Sequence, residues 1–217
     1  MKGSPVEFQI VAGELCLDFI NTLDNRPSPG RLKELLPAYL DLVEWALQAG
    51  AIASAQGSAL RRAAADNPKA AESVRQKGLK LRECLYRVVV SALHHRRPTT
   101  EDVTLFSHYL GDALSNLELR NARSGFRLDW RDSSPRLDSL LWPVVKSASQ
   151  LLTSPDLERV RECASPSCRW LFVDRSKNHS RRWCDMKACG NRVKARRFYS
   201  RKSDHGRNET RLRRVST

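Results

Sequence analysis

The 217-residue chain contains no apolar run approaching the roughly 20 residues of a membrane-spanning helix, which excludes such a span. Behind Met1-Lys2-Gly3-Ser4-Pro5 no apolar stretch of the signal-peptide kind follows. The expected compartment is therefore the reducing cytoplasm, where thiols stay free to bind metal. No internal repeat is apparent, which argues against a repeat architecture, and no low-complexity segment precedes the basic C-terminal stretch. The N-terminal part offers no nucleophile and base at a catalytic spacing, so the reading is not an enzyme. Acidic residues are scarce in one region only. From Cys163 to the end, 4 Asp and Glu stand against 16 Lys and Arg, a net +12 of the chain's +14. Residues 1–162 hold 20 acidic and 22 basic residues, a near-neutral globular composition. By charge alone the last part binds a polyanion; a solvated basic tail or attraction to anionic lipid are the other readings.

What the C-terminal part does have is cysteine in a pattern. Cys163 and Cys168 form one pair and Cys184 and Cys189 another, each with four residues inside and 15 between the pairs. Two tight loops about 12–20 residues apart are what a tetrahedral thiolate site needs, and Zn²⁺ suits four sulfurs in a closed site. Six cysteines also permit three disulfides, and an iron–sulfur cluster is a further reading. Cys16 and Cys84 lie in apolar surroundings and read as buried cysteines. His179 and His205 are spare candidate ligands. Four thiolates on Zn²⁺ carry a formal −2, which Arg181, Arg182 and Arg192 can offset, so these arginines serve either the metal or a nucleic acid. Arg192, Lys194, Arg196, Arg197 and Arg201 point most ways around an expected helix from near Cys189 to Ser200. A helix so basic cannot be mostly buried, but it can meet phosphates. Gly190 and Asn191 read as a shell that fixes the thiolates, or as a plain helix start.

The string Arg181-Arg182-Trp183-Cys184-x-Met186-x-x-Cys189-Gly190-Asn191-Arg192-x-Lys194-x-Arg196 resembles the CGNR zinc finger. The Cys163–Phe172 segment matches too, and the likeness covers about the last quarter of the chain. It implies one structural Zn²⁺, DNA binding and a role in transcription. A second string, Gly13-Glu14-Leu15-Cys16-Leu17-Asp18-Phe19-Ile20-Asn21-Thr22, resembles the start of the ABATE domain, which precedes this finger in many bacterial proteins. Together they imply a transcription regulator whose N-terminal domain senses a small ligand or mediates assembly. RNA binding through the same zinc module, and an enzyme site near Asp18, Asn21 and Arg82, are the competing functions. A lone finger offers few base contacts, so a homodimer is expected.

The expected architecture is mainly α with a small antiparallel β-sheet: residues 1–154 helical, 155–201 the finger, 202–217 a basic tail. Phe8 and Ile10 alternate as a short strand, and a helix is expected from Gly13 to Leu23. Asp18 and Asn21 either bridge neighbouring backbone or line a ligand pocket with Trp45 and Arg82. Trp45 reads otherwise as core, and Arg82 as a stem on the core with its charge in water. Further helices are expected from Pro37 to Ala49, ended by Gly50, from Ser54 to Ala65, and from Pro68 to His95. The last of these carries an unbroken stripe from Ala71 to Ala92, with Lys77, Lys80 and Arg87 solvated. Thr99 caps the next helix, with Val103, Phe106, Leu110, Ala113 and Leu117 inward. Phe126, Leu128 and Trp130 predict a half-buried hairpin strand. A helix from Ser134-Pro135 to Leu151 should kink at Pro143. Val160–Glu162 and Trp170–Phe172 predict two short strands around the first Cys loop, with a polar loop from Asp174 to Arg182.

Overall fold

The longest apolar stripe of the sequence becomes the longest helix. A computed structural model describes residues 7–131 and 136–196. In it α4 runs Pro68–Leu93, with Asn67 accepting the Ala70 N–H and Pro68 in the first turn. Ala71, Gly78, Leu81, Leu85 and Val88 are buried along it, and Val74 and Ala92 half-buried. Against α4 pack α2 (Tyr39–Gln48), α3 (Ser54–Asp66) and α5 (Thr100–Leu114). Gly50, at φ +68°, takes the left-handed turn beyond α2. Thr99 accepts the Asp102 N–H and caps α5. Between α4 and α6 (Trp142–Leu152) lies the short α1 (Leu15–Ile20), buried from Cys16 to Ile20. The strands form three two-stranded antiparallel sheets among the described residues. Leu23–Asp24 (β1) pairs with Lys33–Glu34 (β2), Leu117–Ala122 (β3) with Gly125–Trp130 (β4), and Val160–Glu162 (β5) with Leu171–Val173 (β6). The chain is mainly helical with small antiparallel sheets and a C-terminal four-cysteine module.

Several expectations are corrected. Phe8 is buried, but it and Ile10 lie on extended chain and join no sheet. The 11–12 backbone is turned instead toward a side chain, as described below. α1 stops at Ile20, where the Thr22 hydroxyl donates to the Phe19 carbonyl and Leu23 leaves as a strand. Pro37 precedes α2, whose first turn is closed by Asp41 accepting the Ala38 N–H. Pro143 starts α6 after a 3₁₀ turn at Ser139–Leu141, so it produces no kink: a proline is free of strain where its N–H has no partner to lose. Val103 is exposed, because the buried row of α5 is Asp102, Phe106, Tyr109 and Ala113. Arg87 clamps the Asp102 carboxylate, and the Tyr109 hydroxyl donates to the Lys77 carbonyl, which sets that rotation. Lys77 and Arg87 are thus engaged and not simply solvated; Lys77 pairs with Asp138 at 3.0 Å. The β3–β4 hairpin forms, but Leu119, Phe126 and Leu128 are exposed toward its tip. Only Trp130 at its base reaches the body, its ring 5.7 Å from Trp142. Ser134 and Pro135, and the tail 202–217, lie outside the described residues.

Arg82 departs most from expectation. It is 3% exposed, yet its charge is not in water. Both terminal nitrogens grip Glu34 at 2.7 and 2.6 Å, Nε donates to Glu83 at 3.0 Å, and Nη1 reaches the Thr22 hydroxyl. Arg26 takes the other side of Glu83 and lies 4.0 Å over the Tyr86 ring. Burial would raise the Glu34 carboxyl, but the Arg82 guanidinium holds it below its usual value. This chain of charges ties the β1–β2 ribbon to α4. Trp45 is fully buried against Phe19, ring centroids 5.0 Å apart, as a core residue.

The cysteine module is carried on α1. β6 pairs with β5 on one side; on the other, the Asn21 amide behaves as a substitute strand. Its Oδ1 accepts the Leu171 N–H and its Nδ2 donates to the Leu171 carbonyl, both at 2.9 Å. Two residues on, the Val173 N–H donates to the Ala12 carbonyl. Asp18 holds that segment in place: its Oδ1 accepts the N–H groups of Val11 and Ala12, each at 2.9 Å. Burial raises the Asp18 carboxyl to about 6 despite those two hydrogen bonds.

Replacing Asn21 by Ala leaves a buried donor and acceptor unpaired, at about 1–3 kcal/mol each. The urea unfolding midpoint of Asn21→Ala should fall accordingly, with a loss of roughly 3 kcal/mol overall; an unchanged midpoint would refute the stitch. Asp18 gives a pH prediction. Its native pKa lies above the unfolded value near 3.9, so the native state holds the extra proton. Its contribution to stability is greatest below that unfolded value and is lost as pH rises through about 6. Between pH 7.5 and 5.5 the wild type should gain about 1 kcal/mol relative to Asp18→Asn.

Candidate metal centre

Each pair of cysteines is brought together by a short hydrogen-bonded loop. In the first, the Cys163 N–H donates to the Trp170 carbonyl and the Cys168 N–H to the Ser165 carbonyl, while Arg169 takes the left-handed conformation at φ +58°. In the second, Asp185 works as a cap: its side chain accepts the Ala188 N–H, and its carbonyl accepts those of Cys189 and Gly190. This winds Met186–Gly190 into a single wide helical turn, followed by helix over 191–196. The two loops are laced by the Ala164 N–H donating to the Arg182 carbonyl at 2.8 Å.

The result is four buried sulfurs, of Cys163, Cys168, Cys184 and Cys189, all within 4.8 Å of one another. Cys168 and Cys184 are 3.6 Å apart and Cys184 and Cys189 3.7 Å. A tetrahedron of ~2.3 Å zinc–sulfur bonds has edges of about 3.8 Å, so the donor set fits Zn²⁺. These separations are far too long for disulfides, and all six cysteines are free thiols. Four thiolates at such distances need a cation among them. A backbone N–H already aims at one of the sulfurs, that of Trp170 at Cys168. The chain therefore holds one structural zinc ion, with all four positions filled by protein. Cys16 and Cys84 are elsewhere, buried, their thiols pushed up by burial to about 12 and about 11. His179 is outside the cluster, its ring facing the Asp174 carbonyl, and His205 lies outside the described residues.

The arginines divide. Arg181 is turned inward: its guanidinium lies 4.4 Å over the Phe172 ring and donates to the carbonyls of Val11, Trp183 and Cys184. Arg182 is exposed, above the half-buried Trp183. Arg192, Lys194 and Arg196 are exposed on the helical turns after the cluster, with Val193 half-buried; Arg197 and Arg201 lie outside the described residues. Gly190 is close-packed, but against a side chain: a Cβ there would meet the Met186 sulfur at 2.3 Å. Asn191 is exposed on the helix. Two residues escaped the sequence reading. Asp185, directly after a cysteine and before helix, carries a cap signal. Asp174 is fully buried and accepts the N–H groups of Ser176 and Arg181 and the Ser176 hydroxyl, shaping the 174–181 loop. Its Asp-x-Ser spacing is a turn signal.

The four expected pocket residues are not brought together. Asp18 lines a cleft of about 570 Å³, whereas Asn21 engages Leu171, Trp45 is in the core and Arg82 is paired with Glu34. Elemental analysis should find one zinc per chain. Cys184→Ser should lower that stoichiometry and release Trp170 and Trp183 from their packing, read as loss of near-ultraviolet circular dichroism. Far-ultraviolet helix signal should largely persist, because α2 to α5 pack against one another outside the cysteine loops.

Comparison with known proteins gives two family matches. Residues 159–202 match the CGNR zinc finger. Residues 13–155 match ABATE, described as "putative stress-induced transcription regulator". No curated protein matches the chain. Since the ABATE match spans most of the chain and the finger match contains all four ligands in sequence, this protein belongs to the ABATE family and carries a CGNR zinc finger at its C-terminal end.

Proposed function

We propose that the protein is a zinc-dependent DNA-binding transcription regulator of the bacterial cytoplasm, with a helical part, 1–154, that senses a small molecule and a finger, 155–201, that meets DNA. The family supports regulation. The observation that supports nucleic acid is the state of the cations around the zinc site. In the helical part Arg26, Arg75, Arg82, Arg87 and Arg136 are each held by a carboxylate. Lys187, inside the last cysteine pair, and Arg192, Lys194 and Arg196 beyond it are exposed, and no carboxylate among the described residues pairs with any of them. Arg182 shares that state two residues before Cys184. A cluster of unpaired, exposed cations repels itself and is stabilised by a polyanion.

The zinc, on this reading, is a clamp that presents the 191–196 helix, and Arg181 is a positioning residue that braces the loop from inside. Phosphate contacts dock the helix, and one or two arginines read guanine edges. If about six phosphates are met, the logarithm of affinity should fall with the logarithm of salt at a slope near −5. Arg192→Ala and Arg196→Ala should each flatten that slope by about one, as read by fluorescence anisotropy on a DNA duplex. Arg181→Ala should instead weaken zinc retention. A slope near zero removes nucleic acid from the account, and tighter binding to RNA of equal length transfers the role to RNA.

A further inference from the structure

A cleft of about 570 Å³ opens between α1, the turn at 49–51, the end of β4 and the first half of α6. That volume is in the range of small-molecule sites, about 300–1,000 Å³. Its walls hold one free acid and one free base. Asp18 is 5% exposed; its Oδ1 is taken by the Val11 and Ala12 N–H groups, and its Oδ2 has no hydrogen-bond partner among the described residues. The nearby charges are already committed: Glu14 pairs with Arg175, and Arg181 donates to three carbonyls. That oxygen is left open on the cleft wall, where a cationic donor can meet it. Lys146, half-buried on α6, lines the same cleft and pairs with no carboxylate among the described residues. Its ammonium lies 6.0 Å from the ring centroid of Trp130, which supplies a flat apolar wall.

We propose that this cleft binds a small aromatic zwitterion, an aromatic amino acid or a close relative, with its amine on Asp18, its acid group on Lys146 and its ring against Trp130. The proposal rests on the sensing role assigned to the helical part and says which site senses. The cleft also touches the finger through few bonds. Asp18 fixes the Val11–Ala12 segment, whose carbonyls receive Arg181 and Val173. Glu14, which also lines the cleft, receives Arg175. A ligand that draws on Asp18 therefore acts on the residues that seat the zinc module.

Calorimetry on the full, zinc-loaded chain tests this with L-tryptophan, L-tyrosine and L-phenylalanine, then with the amine and the acid analogues of the best binder. At least one amino acid should bind with a dissociation constant below about 1 mM, and each analogue about tenfold more weakly. Asp18→Asn keeps an acceptor for both N–H groups; it should weaken the amino acid and the amine about tenfold and spare the acid. Lys146→Met, which breaks no hydrogen bond, should do the converse. No binding by any of the three up to about 10 mM, or equal binding by both variants, overturns the proposal. DNA retention with and without the ligand separates the two readings. Binding with unchanged retention keeps the cleft and removes its sensing role; binding by a chain that never retains DNA keeps the cleft and removes the regulator reading.

Discussion

A side-chain amide stands at the centre of the hydrogen bonds that join the two parts of this protein. Asn21 sits at the end of a helix with almost no exposed surface and offers Leu171 what a neighbouring strand would offer, an acceptor and a donor at 2.9 Å each. A buried strand edge without such partners would lose more than most single contacts supply. The bond therefore decides where the zinc module rests. Asp18, three residues earlier, extends the same logic: it turns the 11–12 backbone so that its carbonyls face Val173 and Arg181.

Charge is distributed on the same principle, inward where geometry is needed and outward where contact is needed. Arg82 is buried with both oxygens of Glu34 in its fork, and it fastens a two-residue ribbon to the longest helix. Removing one member of such a group strands the other, which is why it persists although the burial itself is costly. Arg181 plays the corresponding part in the finger, between a ring and three carbonyls. Next to it in the chain, Arg182 faces solvent. Two adjacent arginines, chemically identical, thus have opposite surroundings.

The candidate site was legible in the sequence where its chemistry is local. Four cysteines at two equal spacings admit few arrangements, and the sulfurs meet as tetrahedral ligands should. The stripe of α4, the Thr99 cap and the Gly50 turn are also local, settled by period and backbone. The pocket was less legible. Asp18, Asn21, Trp45 and Arg82 stand out as polar or aromatic residues in apolar helices, but each finds a different partner, and of the four Asp18 alone lines the cleft.

The errors share a cause. Val103 was placed inward by period, yet the Arg87–Asp102 pair and the Tyr109 hydroxyl rotate α5 past it. Phe126 and Leu128 alternate as a half-buried strand should, yet among the described residues nothing covers that face. By itself the sequence determined the helical class, the four cysteines of the metal site, and the basic C-terminal charge, because these follow from spacing and composition along the chain. Only the tertiary structure decided which arginine faces inward, which carboxylate meets Arg82, and where the zinc module is seated, because those depend on partners 48 to 170 residues away, and no period in the chain encodes such a pairing.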